Sequence, residues 1–204
     1  MKLHTRDQAP KEGQQKAETP FTAWEPSRQN YIQFLVDSLV VYETMDSIIA
    51  SVEDLSPFKS TGLERAVALR EDIKWMASYD DNIIIPDCGH SGKAYASFLT
   101  ALAKESIPKF MCHYYNHYFA HTAGGRMIGK KMADKLLEGK ILKFYQWEGD
   151  VKALLDETRK KIDVMALKWT PEEKQACLEE TMACFRYGGS LMVYMKAPGS
   201  GHGH

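Results

Sequence analysis

The stretch FMCHYYNHYFAHTAGGRMIGKK, Phe110 to Lys131, decides how the rest of the chain is read. His113, His117 and His121 stand at i, i+4 and i+8. On a helix of 3.6 residues per turn they share one face that drifts about 40° per step. Gly124 and Gly125 follow side by side, inside a helical pattern that continues past them toward Glu138. Each interior glycine costs a helix about 1 kcal/mol relative to alanine. An adjacent pair therefore implies a kink or a close approach of backbone, either to a tightly packed helix or to something flat. The histidine ladder has two readings, interior imidazoles bonded to neighbours or a row of metal ligands. A di-iron bundle needs Glu-x-x-His pairs. The residues three before these histidines are Phe110, Tyr114 and Tyr118, so that site is excluded.

Outward from this segment the chain reads as helices. Pro108 opens the long helix and Gly139 is a C-terminal stop. Upstream, Tyr31, Phe34, Leu35, Val41, Tyr42, Met45 and Ile49 recur at helical spacing from Ser27, until Ser56-Pro57 to Gly62 breaks the pattern. Thr61 with Glu64 predicts a capping box for the next helix, and Ser91 a cap for one reaching about residue 104. Ile83-Ile84-Ile85 before Pro86 reads as extended loop, since no partner strand is evident. Downstream, a helix is expected over 150–168. Thr170-Pro171-Glu172-Glu173 then supplies cap, first-turn proline and N3 glutamate for a last helix ending near Met195. Residues 6–29 carry Pro10, Gly13, Pro20 and Pro26 and read as an irregular wrapping segment. The class is all-α: a single domain over residues 1–196, with 197–204 an appended tail.

Composition narrows the function. The chain has 204 residues, 44% of them apolar, enough for one sizeable core. Lys plus Arg number 26 and Asp plus Glu 27, so no bulk charge draws it to nucleic acid or anionic lipid. No apolar run approaches the roughly 18 residues of a membrane span. No signal peptide is visible, although removal of a targeting segment would leave the same sequence. Cys88, Cys112, Cys177 and Cys184 form no CxxC pair and read as buried reduced thiols.

Several motifs, in order, resemble those of plant and algal plastid heme oxygenases: Met1-Lys2-Leu3-His4-Thr5-Arg6-Asp7-Gln8-Ala9, Trp24-Glu25-Pro26, Phe34-Leu35-Val36-Asp37-Ser38, Thr61-Gly62-Leu63-Glu64-Arg65-Ala66, His121 to Gly129, and Cys177-Leu178-Glu179-Glu180-Thr181. The likeness covers essentially the whole chain before the tail. It implies a helical bundle holding heme b between a proximal and a kinked distal helix. The implied activity is cleavage of heme at the α-meso carbon to biliverdin IXα, ferrous iron and carbon monoxide, with O2 and electrons from reduced ferredoxin. Heme is then both substrate and cofactor.

The resemblance also assigns residues. His4 stands where the family's proximal iron ligand stands, although on spacing alone it is an unremarkable terminal histidine. The non-catalytic plant branch lacks this histidine. Only three residues precede His4, where relatives carry more helix, which predicts a less firmly held proximal helix and weaker heme affinity. Gly124 and Gly125 match the kinked distal helix. His121 stands where animal enzymes place the aspartate that orders distal water, and His121, Asn116 or Tyr115 could do so here. Arg159, Lys160 and Lys161 are the candidates to meet the heme propionates, Arg159 first because its fork binds carboxylate bidentately. Arg126, Lys130, Lys131 and Lys135, with Lys140 and Lys143 beyond, could dock acidic ferredoxin. The resemblance places the protein in the plastid stroma. Two rivals remain: a heme or tetrapyrrole carrier without turnover, and a thiaminase-like enzyme using Cys112 as nucleophile.

Overall fold

The computed structural model describes residues 25–196, all of whose regular structure is helical. His4 and residues 197–204 lie outside the described residues. So does most of the expected irregular segment, whose last residues, Arg28 and Gln29, already belong to the first helix.

The first helix, α1 (Arg28–Ser51), begins where the sequence predicts. The Ser27 hydroxyl accepts from the Asn30 amide, and the Asn30 side chain accepts from the Ser27 amide. Five consecutive residues, Phe34 to Ser38, are buried, so this helix has no purely polar face and runs through the middle of the bundle. Packed against it are α2 (Ala66–Tyr79), α3 (His90–Glu105), α8 (Thr181–Leu191) and α9 (Val193–Lys196). Tyr31, Ile32, Leu35, Val41 and Met45 are fully buried along it. Each such apolar side chain contributes about 1.5–3 kcal/mol of transfer free energy.

Two helix starts differ from expectation. Glu64 does accept from the Thr61 amide, but it also takes the Gly62 amide in the turn, and α2 begins later, after Arg65. The start of α3 is capped from another helix: Asp37 of α1 accepts from the Gly89 and Gly92 amides at 2.7 and 2.8 Å. Ser91 lies inside the first turn. Ile83–Ile85 is loop, as expected, and Gln29 bonds both backbone groups of Ile84.

The long helix is two helices joined by one wide turn. The first, α4 (Ile107–Ala120), is capped by the Ser106 hydroxyl, with Pro108 in its first turn. A π-helical turn, His121–Gly125, follows, and α5 (Arg126–Leu136) continues. The stop at Gly139 holds: its φ is +85°, and its amide reaches back to the Ala133 carbonyl. Downstream come α6 (Val151–Ala166), capped by Asp150, and α7 (Pro171–Glu179), with the predicted Thr170/Glu173 capping box. The single last helix expected from sequence is broken at Glu180 and again near Met192, into α7, α8 and α9. Glu180 turns its carboxylate to His113 of α4.

Candidate functional site

The π-helical turn opens onto a cavity of about 340 Å³ between α1, α3, α4, α8 and the 144–145 loop. Asn116, His117, His121 and Gly125 line it from the distal-helix side, Tyr42 from α1 and Tyr95 from α3. Two other clefts have larger volumes. One, about 400 Å³, is a surface groove along α1 and α3 with no buried titratable group. The other, about 750 Å³, lies at the start of α4 and holds Lys160, Lys161 and Trp169. The smaller cavity is the candidate because buried titratable side chains converge on it.

The three histidines have different roles. His121 Nε2 lies 2.7 Å from the Phe144 carbonyl. A carbonyl only accepts, so Nε2 carries the proton and Nδ1 keeps its lone pair. The imidazole stacks on the Phe144 ring at 3.9 Å, and burial pushes its pKa down to about 3, so it is neutral. His113 lies deeper, between the Tyr95 hydroxyl at Nδ1 (2.8 Å) and Glu180 at Nε2 (3.0 Å). By the same rule Nε2 donates and Nδ1 accepts. Burial lowers its pKa despite the opposing effect of the hydrogen bond it donates to Glu180. His117 sits between them against the Tyr42 ring, 4.6 Å away, and burial lowers its pKa to about 4. Its Nε2 is buried and has no hydrogen-bond partner among the described residues. An orphaned polar atom beside a cavity is a place for a ligand or an ordered water.

The two glycines are not equivalent. A Cβ on Gly125 would stand 2.5 Å from His121 Nδ1, so Gly125 is small to clear the imidazole one turn before it. A Cβ on Gly124 would meet nothing within 4 Å. Ala120, in the cavity wall, and Ala123 and Gly124, beyond it, are exposed. Gly129, on α5, is closed in by the Tyr145 ring, 2.4 Å from its would-be Cβ.

The other candidates are scattered. Asn116 lines the cavity, but its Nδ2 is spent on the Cys112 carbonyl and sulfur. Tyr115 is half-buried and packs on Phe119 at 4.2 Å, outside the cavity wall. Arg159 lies over the Phe119 ring, 4.9 Å from its centre, and bonds Asp156. Lys160 and Lys161 line the separate 750 Å³ cleft, and Lys160 pairs with Glu157. Of the basic residues after the turn, Arg126, Lys130 and Lys135 are exposed, whereas Lys143 is paired with Glu71 and Lys140 lies over Trp75. Cys112, Cys177 and Cys184 are buried free thiols clustered away from solvent, and Cys88 is half-buried. Cys112 is not in the cavity wall, which leaves it without the position a nucleophile needs. Sequence reasoning missed Tyr42, Tyr95, Phe144 and Lys196, which also border the cavity. They come from elements far apart in the chain and carry no local motif.

The family model for heme oxygenase matches residues 9–192. The rice protein "Heme oxygenase 1, chloroplastic" is 47% identical over 198 residues, 96% of this chain and 68% of its own. Rice "Probable inactive heme oxygenase 2, chloroplastic" is 39% identical over 171 residues, 83% of this chain and 51% of its own. The crystal structure of heme oxygenase-1 from the cyanobacterium Synechocystis sp. PCC6803 in complex with heme has a TM-score of 0.70 with this fold, at 18% identity, covering 88% of this chain and 81% of that one.

Proposed function

The chain belongs to the heme oxygenase family, and on that premise we propose that it cleaves heme at the α-meso carbon to biliverdin IXα, ferrous iron and carbon monoxide, using O2 and electrons from reduced ferredoxin. The observation that carries this reading is the neutral His121, held by Phe144 with its Nδ1 lone pair turned toward Gly125 at the cavity.

The residues present fit heme. The small Ala120 and Gly125 in the cavity wall suit a flat ring, and the orphaned His117 Nε2 suits a polar ligand or water next to it. His4 would hold the iron from the proximal side. Arg159 would meet a propionate only by leaving Phe119 and Asp156, since it too lies outside the cavity wall. Lys160 and Lys161 would do so only by reaching out of their own cleft. Bound heme supplies the redox-active iron and the ring that is consumed.

The protein residues supply placement and proton control. His121 Nδ1 would accept a hydrogen bond from water and so orient its protons, with Asn116 a further candidate for this role, whereas Tyr115 lies outside the cavity wall. Burial keeps His113, His117 and His121 uncharged near neutral pH, so they act as hydrogen-bonding groups and not as strong acids. Tyr42, Phe144 and Tyr145 wall the cavity with rings and limit the water inside it. Ferredoxin would dock at Arg126, Lys130, Lys131 and Lys135. The chloroplastic relative supports a plastid location, and the stroma is our reading from the family resemblance alone.

The test is the visible spectrum with hemin, followed during reduction in air. A Soret band that gives way to biliverdin absorption is the expected result. The inactive relative gives weight to a second reading, a heme binder without turnover. A stable heme complex that forms no biliverdin with reductant and oxygen would establish that reading instead.

A further inference from the structure

The 143–147 segment has one short 3-10 turn and little else of its own, yet it is held by two buried charges. Asp72 of α2, 4% exposed, accepts from the Lys143 amide at 2.9 Å and the Phe144 amide at 2.7 Å. Arg65, 6% exposed, donates from Nη1 to the carbonyls of Gln146 at 2.5 Å, Lys143 at 3.3 Å and Phe144 at 3.4 Å. Its guanidinium also lies 4.6 Å over the Trp147 ring. Among the described residues neither charge has an oppositely charged side chain in ion-pair range. Burying a charge is costly unless every hydrogen bond is well made. Here two opposite charges are spent on the backbone of one five-residue stretch.

What that stretch does for the site is specific. Its Phe144 carbonyl takes the His121 Nε2 proton, and its Phe144 ring stacks on the imidazole. Tyr145 and Trp147 pack around the same ring, at 5.2 and 5.3 Å. The Phe144 carbonyl has two lone pairs, one for His121 and one for Arg65. We propose that Arg65 and Asp72 are positioning residues for His121: by clamping residues 143–147 they fix the Nε2–H tautomer and leave Nδ1 as the acceptor that faces the cavity. This rests on the reading of His121 as a site residue.

The experiment uses heme-free protein with 15N-labelled histidine, so it does not depend on turnover. Long-range 1H–15N correlation spectra report the tautomer of each histidine from pH 5 to 8. Wild type is expected to show His121 as a single Nε2–H form that does not titrate. Arg65→Met is expected to give mixed His121 tautomers, with His113 unchanged as internal control. Arg65→Lys keeps the charge but not the fork, so it should still mix tautomers. Asp72→Asn, which loses one acceptor, should mix tautomers without titration. If Arg65→Met does not fold, Arg65→Lys and Asp72→Asn carry the same readout. A single Nε2–H His121 in these folded variants would overturn the inference. Loss of the tautomer in a protein that makes no biliverdin would leave the inference standing and remove only the enzymatic reading.

Discussion

Adding one methyl group at Gly125 is the sharpest probe of the site. The new Cβ in Gly125→Ala would sit 2.5 Å from His121 Nδ1, 3.2 Å from Cγ and 3.3 Å from Cε1. Comfortable heavy-atom contact is about 3.5–4.0 Å, so the imidazole must move by about 1 Å. The imidazole is already stacked on Phe144 at 3.9 Å, so a shift of its edge away from Gly125 strains its 2.7 Å bond to the Phe144 carbonyl. A shift of that size takes the bond past the useful range. Leaving a buried donor and carbonyl imperfectly paired costs about 1–3 kcal/mol. Replacing a helical glycine by alanine returns about 0.4–1 kcal/mol. The net loss of about 0–2.6 kcal/mol corresponds to a fall in Tm of at most about 10 °C for a chain of this size. Catalysis should suffer more than the fold, by tenfold for each ~1.4 kcal/mol of His121 placement lost in the transition state. The assay pairs thermal melting with single-turnover conversion of bound heme in one preparation. His121→Ala/Gly125→Ala removes the ring that is struck, so the double variant should melt above the sum of the two single losses. Normal turnover in a folded Gly125→Ala protein, or strict additivity in the double variant, would refute the reasoning. Gly124→Ala, with open space above it, should be neutral or stabilising and serves as the control.

His4→Ala should change the heme spectrum and abolish biliverdin formation, with partial rescue by added imidazole; a native spectrum with full turnover would remove His4 as ligand. Lys130→Glu with Lys131→Glu should raise the ferredoxin concentration needed for half-maximal rate, and wild-type docking should weaken as salt rises; an unchanged dependence in both series would move the docking surface elsewhere. The buried histidines predict a pH effect on stability. Their folded pKa values, about 4 for His117 and about 3 for His121, lie below the unfolded value of about 6.5, so the unfolded chain binds more protons between these limits. Stability is therefore full above about pH 6.5 and is lost as pH falls toward 4, by up to about 1.4 kcal/mol per pH unit per histidine. Urea unfolding at pH 7 and pH 5 should show this loss, and His117→Gln should reduce it; an identical slope in the variant would assign it to other groups.

The helices were legible because their signals are local. Ser27, Thr170 with Glu173, and Gly139 each act within a few residues, through a cap or a left-handed turn, and each stands where it was read. The starts that were misread depend on distant partners. The cap of α3 is supplied by Asp37 from across the bundle, and Glu64 is used in a turn before α2 begins. The break at Glu180 follows a tertiary bond to His113, which a helical pattern cannot announce.

The sequence by itself determined the class, the histidine ladder, the adjacent glycines and the family, because spacing on one helix and ordered motifs are properties of the chain alone. Only the tertiary structure decided what those residues do to one another. It joined His121 to a carbonyl 23 residues on, making it a donor at Nε2 and an acceptor at Nδ1. It gave Gly125 its reason in the His121 ring and left Gly124 open. It also separated Lys160 and Lys161 from the cavity they had been expected to serve. The physical reason is that protonation, tautomer and clearance are set by neighbours within about 4 Å, and the fold, not the order of residues along the chain, chooses those neighbours.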